Sequence, residues 1–322
     1  MAKVIYKIVV FVVLTLFILK GVEHLADYGL KKTRYSNGAF NIIMHERKNA
    51  DILILGSSKA SNHFIPKIIG GSKLQVFNAG QLGSNYTLQK LILEEYLTKN
   101  TKPKLVIWNI EPYLFENQDK IFNEDDMVPY LSNPEIASFL NKNPLNYTWA
   151  ELHLPLFKYN NKPKLLKEGL IWAFSKKIKN DPVDGYWANI GFSKNGFLNT
   201  KYSHPFGIQP NVQHSLIDSF KKKIQELKKS DIEVIFCESP EFCRLDKLRK
   251  GKLETQRLFY ELSMHLNCEL LDYSNDSMKY DINNYFDASH LNVKGASIIS
   301  NKLKNDLENH SKLFQTTHHT IP

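Results

Sequence analysis

The sequence predicts an α/β fold: a flavodoxin-like three-layer sandwich with about five parallel strands, an N-terminal transmembrane helix and an inserted cap region. Three observations lead to this prediction. Short apolar runs alternate with stretches of helical periodicity, the alternation lapses over residues 113–214 before it resumes, and a long apolar run lies near the N-terminus. With 322 residues, 43% hydrophobic and 23% charged, the composition is that of a globular protein with a substantial core.

The predicted strands are short apolar runs that end at turn residues. In chain order they are ILIL at 52–55, LQVFNAG at 74–80, KLVIWNIEP at 104–112, IEVIFCESP at 232–240 and CELLDY at 268–273. Apolar residues recur at helical spacing over 87–99, 214–230, 253–266 and 292–310. Strands and helices that alternate in this way form parallel sheets with right-handed crossovers.

The N-terminal segment has the composition of a membrane anchor. Its apolar run, residues 4–19, is interrupted only by Lys7 and is closed by Lys20. No small-x-small cleavage site follows, so residues 1–22 are predicted to be an uncleaved signal-anchor. The expected location is the cell membrane, with a single pass and with the body on the extracytoplasmic side, periplasmic or extracellular.

The remaining boundaries follow from the composition. Residues 23–50 are predicted to be a lead-in and residues 51–310 one α/β domain. The cap at about 113–214 is rich in Asn, Pro, Tyr, Trp and Lys and is far longer than an ordinary loop. Residues 311–322 are expected to form a disordered tail.

Charge and cysteine content limit the partners. A net charge of +9 suits nucleic acid, anionic lipid or acidic glycan, but no zinc-knuckle, helix-turn-helix or RNP-like signature occurs, so no nucleic-acid partner is expected. Cys237, Cys243 and Cys268 are too few for a disulfide scaffold, although a bridge between the first two stays open. No metal or cofactor motif is found, and none is expected.

Two segments carry residues suited to catalysis. Ser57 and Ser58 follow Gly56 at the carboxyl end of the first strand, where open α/β sheets place ligands; the alternative is a helix N-cap. Asp287 and His290 lie three residues apart before the last helix, a spacing that lets the carboxylate orient the imidazole. Alternatively, the aspartate only ends a turn and the histidine neighbours a helix cap.

Three motifs taken together resemble the SGNH/GDSL hydrolase superfamily. They are GSS after the first strand, NAGQLGSN after the second and DASHLN before the closing helix, and the resemblance covers about 51–112 and 215–308. It implies that Ser58 is the nucleophile, with Ser57 as its rival. In this family the serine is activated by a histidine that a nearby aspartate orients.

By position, His290 and Asp287 match this base and its orienting acid. The resemblance also implies that the backbone N–H groups of Ser58 and Gly83 form the oxyanion site, where a glycine leaves the approach open. The third donor of the family, an asparagine after strand three, has only Asn109 as a doubtful counterpart.

The end of the third strand, WNIEPYLF, departs from the usual family motif. With GSS, it is similar to the membrane-anchored SGNH-like proteins of surface-polymer acylation, including alginate O-acetylation proteins and the D-alanyl transfer protein of teichoic acid operons. CESPEF at 237–242 resembles the same branch, or is an ordinary strand terminus. This branch implies a cell-surface glycan as substrate and a membrane-bound O-acyltransferase as donor partner.

Three residues are candidates for substrate binding. Glu111 stands near the usual third-strand site, and Trp149 and Trp187 lie in the cap, where tryptophan can stack on sugar rings although it is more often a core residue. His63 is interpreted as a surface or packing histidine. The expected function is serine-dependent O-acyl transfer to glycan, with a carbohydrate esterase and a non-catalytic glycan-assembly protein as alternatives.

Overall fold

The structure is a computed structural model that describes residues 1–33, 39–45, 48–117, 121, 124–142, 146–176, 184–194, 196–197 and 210–317. The chain forms two compact units. The first comprises residues 1–41 and 119–181, and the second comprises residues 42–118 and 182–322.

The second unit is built on a parallel sheet in the order β2-β1-β3-β4-β5. Its strands are β1 (Ile52–Leu55), β2 (Val76–Asn78), β3 (Leu105–Asn109), β4 (Glu233–Glu238) and β5 (Glu269–Asp272). Ile52 is in register with Val76 on one side and with Leu105 on the other. The predicted flavodoxin-like class is confirmed, and each observed strand lies within its predicted run.

Twelve α-helices are formed by the described residues. In chain order they are α1 (Ala2–Lys31), α2 (Ala39–His45), α3 (Ser58–His63), α4 (Pro66–Gly70), α5 (Tyr86–Lys99), α6 (Pro134–Lys142), α7 (Trp149–His153), α8 (Pro163–Phe174), α9 (His214–Lys229), α10 (Lys252–Leu266), α11 (Val293–His310) and α12 (Lys312–Thr317). Helices cover both faces of the sheet: α11 packs with α3 and α4, and α9 packs with α5 and α10.

The sheet is buried on both faces, as parallel sheets require. All four residues of β1 and all five of β3 are buried. Ile54, Ile107 and Ile235 form one core with Ile299 and Leu303 of α11. Trp108 belongs to a separate, aromatic cluster, in which its ring centroid lies 4.9 Å from that of Phe220 of α9. The carboxyl ends of the strands are therefore held on a rigid platform.

The first unit is organised around α1. This helix is long and apolar enough to cross a membrane, a property that a signal sequence would share. It runs unbroken past residue 22 to Lys31, so the first part of the predicted lead-in (23–50) is helical, and the first buried residue of α1 is Glu23, directly after the predicted anchor (1–22). Where α1 packs on α8, a Cβ on Gly29 would lie 1.8 Å from the Gly169 carbonyl oxygen, so the two backbones touch. Glycine is needed for this contact.

The predicted cap and tail also differ from the structure. Of the expected cap at 113–214, residues 119–181 belong with α1 in the first unit, and several segments lie outside the described residues. The predicted tail (311–322) is wrong for residues 312–317, which form α12 with Leu313 and Phe314 buried. The Glu233 carboxylate anchors this helix by accepting from the N–H groups of Lys312 and Leu313. Residues 318–322 lie outside the described residues.

Candidate active site

The serine pair at the end of β1 is split between two structural roles. Ser57 is the N-cap of α3, and its hydroxyl accepts the N–H of Lys59 at 3.3 Å. Ser58 is the first residue of the helix. Gly56 makes the turn possible, because it has φ of +150° and a Cβ there would lie 2.7 Å from the Cβ of Ala60. Ser58 is thus presented at the carboxyl edge of the sheet.

The structure brings the three predicted catalytic side chains together. His290 Nε2 lies 2.8 Å from Ser58 Oγ, and His290 Nδ1 lies 3.0 Å from both carboxylate oxygens of Asp287. Burial raises the pKa of Asp287, but hydrogen bonds from His290 and from the backbone N–H of Ser289 outweigh it and hold that pKa below its usual value. An ionised carboxylate only accepts, so Nδ1 carries the proton and Nε2 is left to accept from the serine hydroxyl.

A cavity of about 320 Å³ opens beside this triad. Its lining residues are polar: Ser57, Ser58, Lys59, Gly83, Ser84, Glu111, Tyr113, Glu116, Glu241, Arg249, Ser289 and His290. In the described part of the chain no Ala, Val, Leu, Ile, Met or Phe lines it. Ligand pockets are usually lined by apolar side chains, so this cavity suits a hydroxyl-rich ligand.

Four charged residues form one wall of the cavity, which we call the ionic wall: Lys59 and Glu111, which are buried, and Glu241 and Arg249, which are partly buried. Lys59 Nζ lies 3.1 Å from Glu241 and 3.9 Å from Glu111. Arg249 binds Glu241 through Nε at 3.0 Å and Nη2 at 2.5 Å, and burial lowers its pKa to about 10. These pairings offset part of the free-energy cost of burying charged side chains. Of the four, sequence reasoning found only Glu111.

Behind the triad lies His63, which sequence reasoning assigned to the surface or to packing. The ring is completely buried; Nε2 accepts the backbone N–H of Leu291 at 3.1 Å, and Nδ1 lies 2.9 Å from Ser239 Oγ. Burial, followed by the neighbouring His290 and Lys59, lowers the pKa of His63 well below its usual value. The neutral ring therefore donates from Nδ1 to the serine and holds the residue that follows the candidate base.

The remaining predicted residues lie in different places. Gly83 lines the cavity with φ of +60°, a conformation that favours glycine. Asn109 is completely buried, lies against Gly56 and is not among the cavity residues, so the doubtful third oxyanion donor is not placed at the site. Trp187 is bonded through its backbone to Ser61 and is not among the cavity residues either.

Trp149 belongs to the first unit. Its side chain is 67% exposed and its ring stacks on His153 with centroids 5.1 Å apart.

A larger cavity, about 750 Å³, lies in the second unit near the amino ends of β4 and β5, lined in part by Lys228, Glu233 and His310. It contains none of the three triad side chains, so the smaller cavity is the better candidate site.

Comparisons with known proteins add little to this geometry. No protein-family profile matches the chain, and no curated protein matches it. A solved structure whose description names a platelet activating factor from Streptococcus pneumonia is similar over 95% of this chain and 98% of its own, with 10% sequence identity and a TM-score of 0.38. A likeness this distant carries no argument about function.

Proposed function

We propose that this protein is a membrane-anchored O-acyltransferase that modifies a cell-surface glycan through an ester on Ser58. The observation that carries the proposal is the chain of hydrogen bonds from Ser58 through His290 to Asp287, beside a cavity lined by polar residues. A serine hydroxyl is a weak nucleophile until a positioned base accepts its proton. In this proposal His290 is that base, and the ionised Asp287 carboxylate orients it.

The reaction has two halves. In the first, Ser58 Oγ attacks the carbonyl carbon of an acyl ester while His290 Nε2 takes the hydroxyl proton. The donor's C–O bond then breaks, and His290 returns the proton to the departing oxygen. In the second half, an acceptor hydroxyl gives its proton to His290 and attacks the acyl group, and Ser58 leaves with that proton. Asp287 stabilises the imidazolium in both halves.

The oxyanion of each half-reaction needs hydrogen-bond donors near the nucleophile. Ser58 starts α3 and Gly83 lines the same cavity, so their backbone N–H groups are our candidates. A donor placed in advance stabilises developing negative charge at no cost of reorganisation, and a single donor is worth on the order of 10²–10³ in rate.

The glycan acceptor is supported by the chemistry of the cavity. An acyl chain longer than a few carbons would find no Ala, Val, Leu, Ile, Met or Phe side chain among the described residues that line the cavity, and it would remove water from the ionic wall without replacing its hydrogen bonds. Sugar hydroxyls both donate and accept, and can bind Lys59 and Glu111 together. The acyl group is therefore proposed to be small, with acetyl as the first candidate. Its donor is proposed to be a membrane-bound O-acyltransferase, a partner that only the resemblance to surface-polymer acylation proteins implies.

The experiment follows a radiolabelled acetyl group from an activated ester onto the purified full-length protein. Label should remain on the denatured protein, disappear in Ser58→Ala and move to oligosaccharide when a panel of sugars is added. Release only as acetate, whatever sugar is present, would favour the alternative function, a carbohydrate esterase with the same triad. Absence of any labelled serine would favour the non-catalytic glycan-assembly protein.

A further inference from the structure

One surface segment of the first unit contacts α1 just beyond its apolar run. The distance of this segment from the end of the run can be calculated along the helix axis. Because α1 is one unbroken helix, its apolar run and its protein-buried part lie on a single axis. The side chains up to Ile18 are largely exposed, and the first buried residue is Glu23. Helix α1 therefore changes from an exposed apolar helix to one packed against protein within about one helical turn after Leu19.

The segment that meets α1 at this turn is Leu156 and its neighbours. The N–H of Leu156 donates to the Glu23 carboxylate at 2.6 Å. At a rise of about 1.5 Å per residue, Glu23 lies about 6 Å beyond Leu19 along the helix. The headgroup layer on each side of a bilayer is roughly 5–8 Å thick. If α1 spans a membrane, Leu156 therefore lies at headgroup level.

Helix α8 gives an independent measure of the same height. It runs in the same direction as α1, because Gly169 meets Ala26 while Ala173 meets Gly29 one turn further along. The first residue of α8, Pro163, is six residues before Gly169 and so about 9 Å nearer the membrane. That places the start of α8 level with about residues 20–23 of α1, in the same layer as Leu156.

The side chains at this level are those of a membrane interface. Trp149 is 67% exposed and Phe157 is 44% exposed, and the segment between them packs as α7 beside residues 157–159. Lys164 and Lys167 in the first turns of α8 are exposed. Tryptophan favours the boundary between water and lipid, and lysine favours anionic headgroups.

The two carboxylates of α1 at this height, Glu23 and Asp27, are kept away from the lipid. Lys158 lies 2.7 Å from Asp27 and 3.7 Å from Glu23, and the Tyr159 hydroxyl donates to Asp27 at 2.5 Å. All four side chains are buried. The acidic groups of α1 are thus paired inside the unit. Glu151, within the segment itself, is half-buried and accepts from the N–H and the hydroxyl of Thr148. The exposed side chains named at this level are therefore mainly aromatic and basic.

We propose that the segment Trp149–Phe157 rests in the headgroup layer of the bilayer that α1 crosses, and so fixes how the first unit stands on the membrane. The partner is a lipid surface with anionic headgroups. The proposal does not depend on acyl transfer, because it uses only residues of the first unit.

The test uses full-length protein in nanodiscs of phosphatidylcholine and phosphatidylglycerol, with or without bromine on the acyl carbons nearest the headgroup. Trp149 emission is obtained as the difference between the wild type and Trp149→Phe, and Trp172→Phe supplies the matched control. Trp172 lies nine residues after Pro163 on α8, about 13 Å further from the membrane by helical rise.

We expect Trp149 to emit at shorter wavelength than a tryptophan exposed to water. Brominated lipid should quench most of the Trp149 emission and little of the Trp172 emission. An unquenched Trp149 would overturn the proposal, since the segment would then stand in water. Equal quenching of both tryptophans would also overturn it, because the unit would be lying on the membrane in no fixed orientation. Failure of the protein to enter nanodiscs would remove the span on which it rests.

Discussion

Neighbouring serines with different contacts give the sharpest prediction at the scale of single residues. Ser57→Ala removes a helix N-cap, which costs about 1 kcal/mol of stability, and should leave turnover measurable. Ser58→Ala removes the hydroxyl bonded to His290 and should lower the hydrolysis of an activated acetyl ester at least about 1,000-fold with little loss of stability. Initial rates and thermal unfolding of both variants check this; the reverse order would place the nucleophile at Ser57.

The buried His63 gives a second prediction, because two conservative variants separate its two hydrogen bonds. Glutamine places an acceptor near the position of Nε2 and can keep the hydrogen bond from the Leu291 N–H. Asparagine reaches only as far as Nδ1 and can keep the hydrogen bond to the Ser239 hydroxyl. If His63 positions the loop of His290, His63→Asn should lower kcat about tenfold with KM unchanged. His63→Gln should stay close to wild type. Equal losses in the two variants would mean that only packing matters.

At the scale of elements, the adjacent ends of β4 and β5 predict a dependence of stability on pH. Glu238 is paired in register with Asp272; burial, and next the Asp272 carboxylate, raise the pKa of Glu238 to about 8. The folded state therefore favours protonated Glu238. Its contribution is complete below about pH 4.5 and is lost as pH rises towards 8, a change on the order of a few kcal/mol.

Two variants test this sign. Glu238→Gln stays neutral at every pH, so its melting temperature should exceed that of the wild type by more at pH 8 than at pH 5. Asp272→Asn removes the neighbouring charge and should reduce the decline without abolishing it. A wild type whose melting temperature rises from pH 5 to pH 8 relative to Glu238→Gln would contradict the assigned direction.

The elements also show what the sequence could and could not predict. The strands and the Asp287–His290 pair were predictable because apolar runs and a three-residue spacing are local signals. The burial of His63 was not, because its partners Ser239 and Leu291 lie far along the chain. The same holds for the packing of the last third of α1, because its partners at residues 156–173 also lie far along the chain.

At the scale of the molecule, the continuity of α1 predicts that two truncations will behave differently. Removal of residues 1–20 deletes the apolar run and keeps the buried Glu23 and Asp27, so the product should be soluble and folded. Removal of residues 1–31 also deletes the helix on which α8 and Leu156 pack, together with the carboxylates that pair with Lys158. The apolar surface of the first unit that α1 covers would then be exposed to water, which destabilises that unit. Limited proteolysis should cut the described part of 119–181 quickly only in the longer truncation.

The shorter truncation also separates the chemistry from its place in the cell. The sheet begins at Ile52, and the proposed triad lies wholly in the second unit, so the protein lacking residues 1–20 should keep full activity on a small activated ester. It should lose acetylation of surface glycan in cells. A tether makes the encounter with a membrane-delivered acyl donor effectively intramolecular, a gain of about 10²–10⁴. The measurement is glycan acetyl content in cells that secrete the truncated form at matched levels. Full acetylation there would show that the helix only retains the protein, and would argue against a donor partner in the membrane.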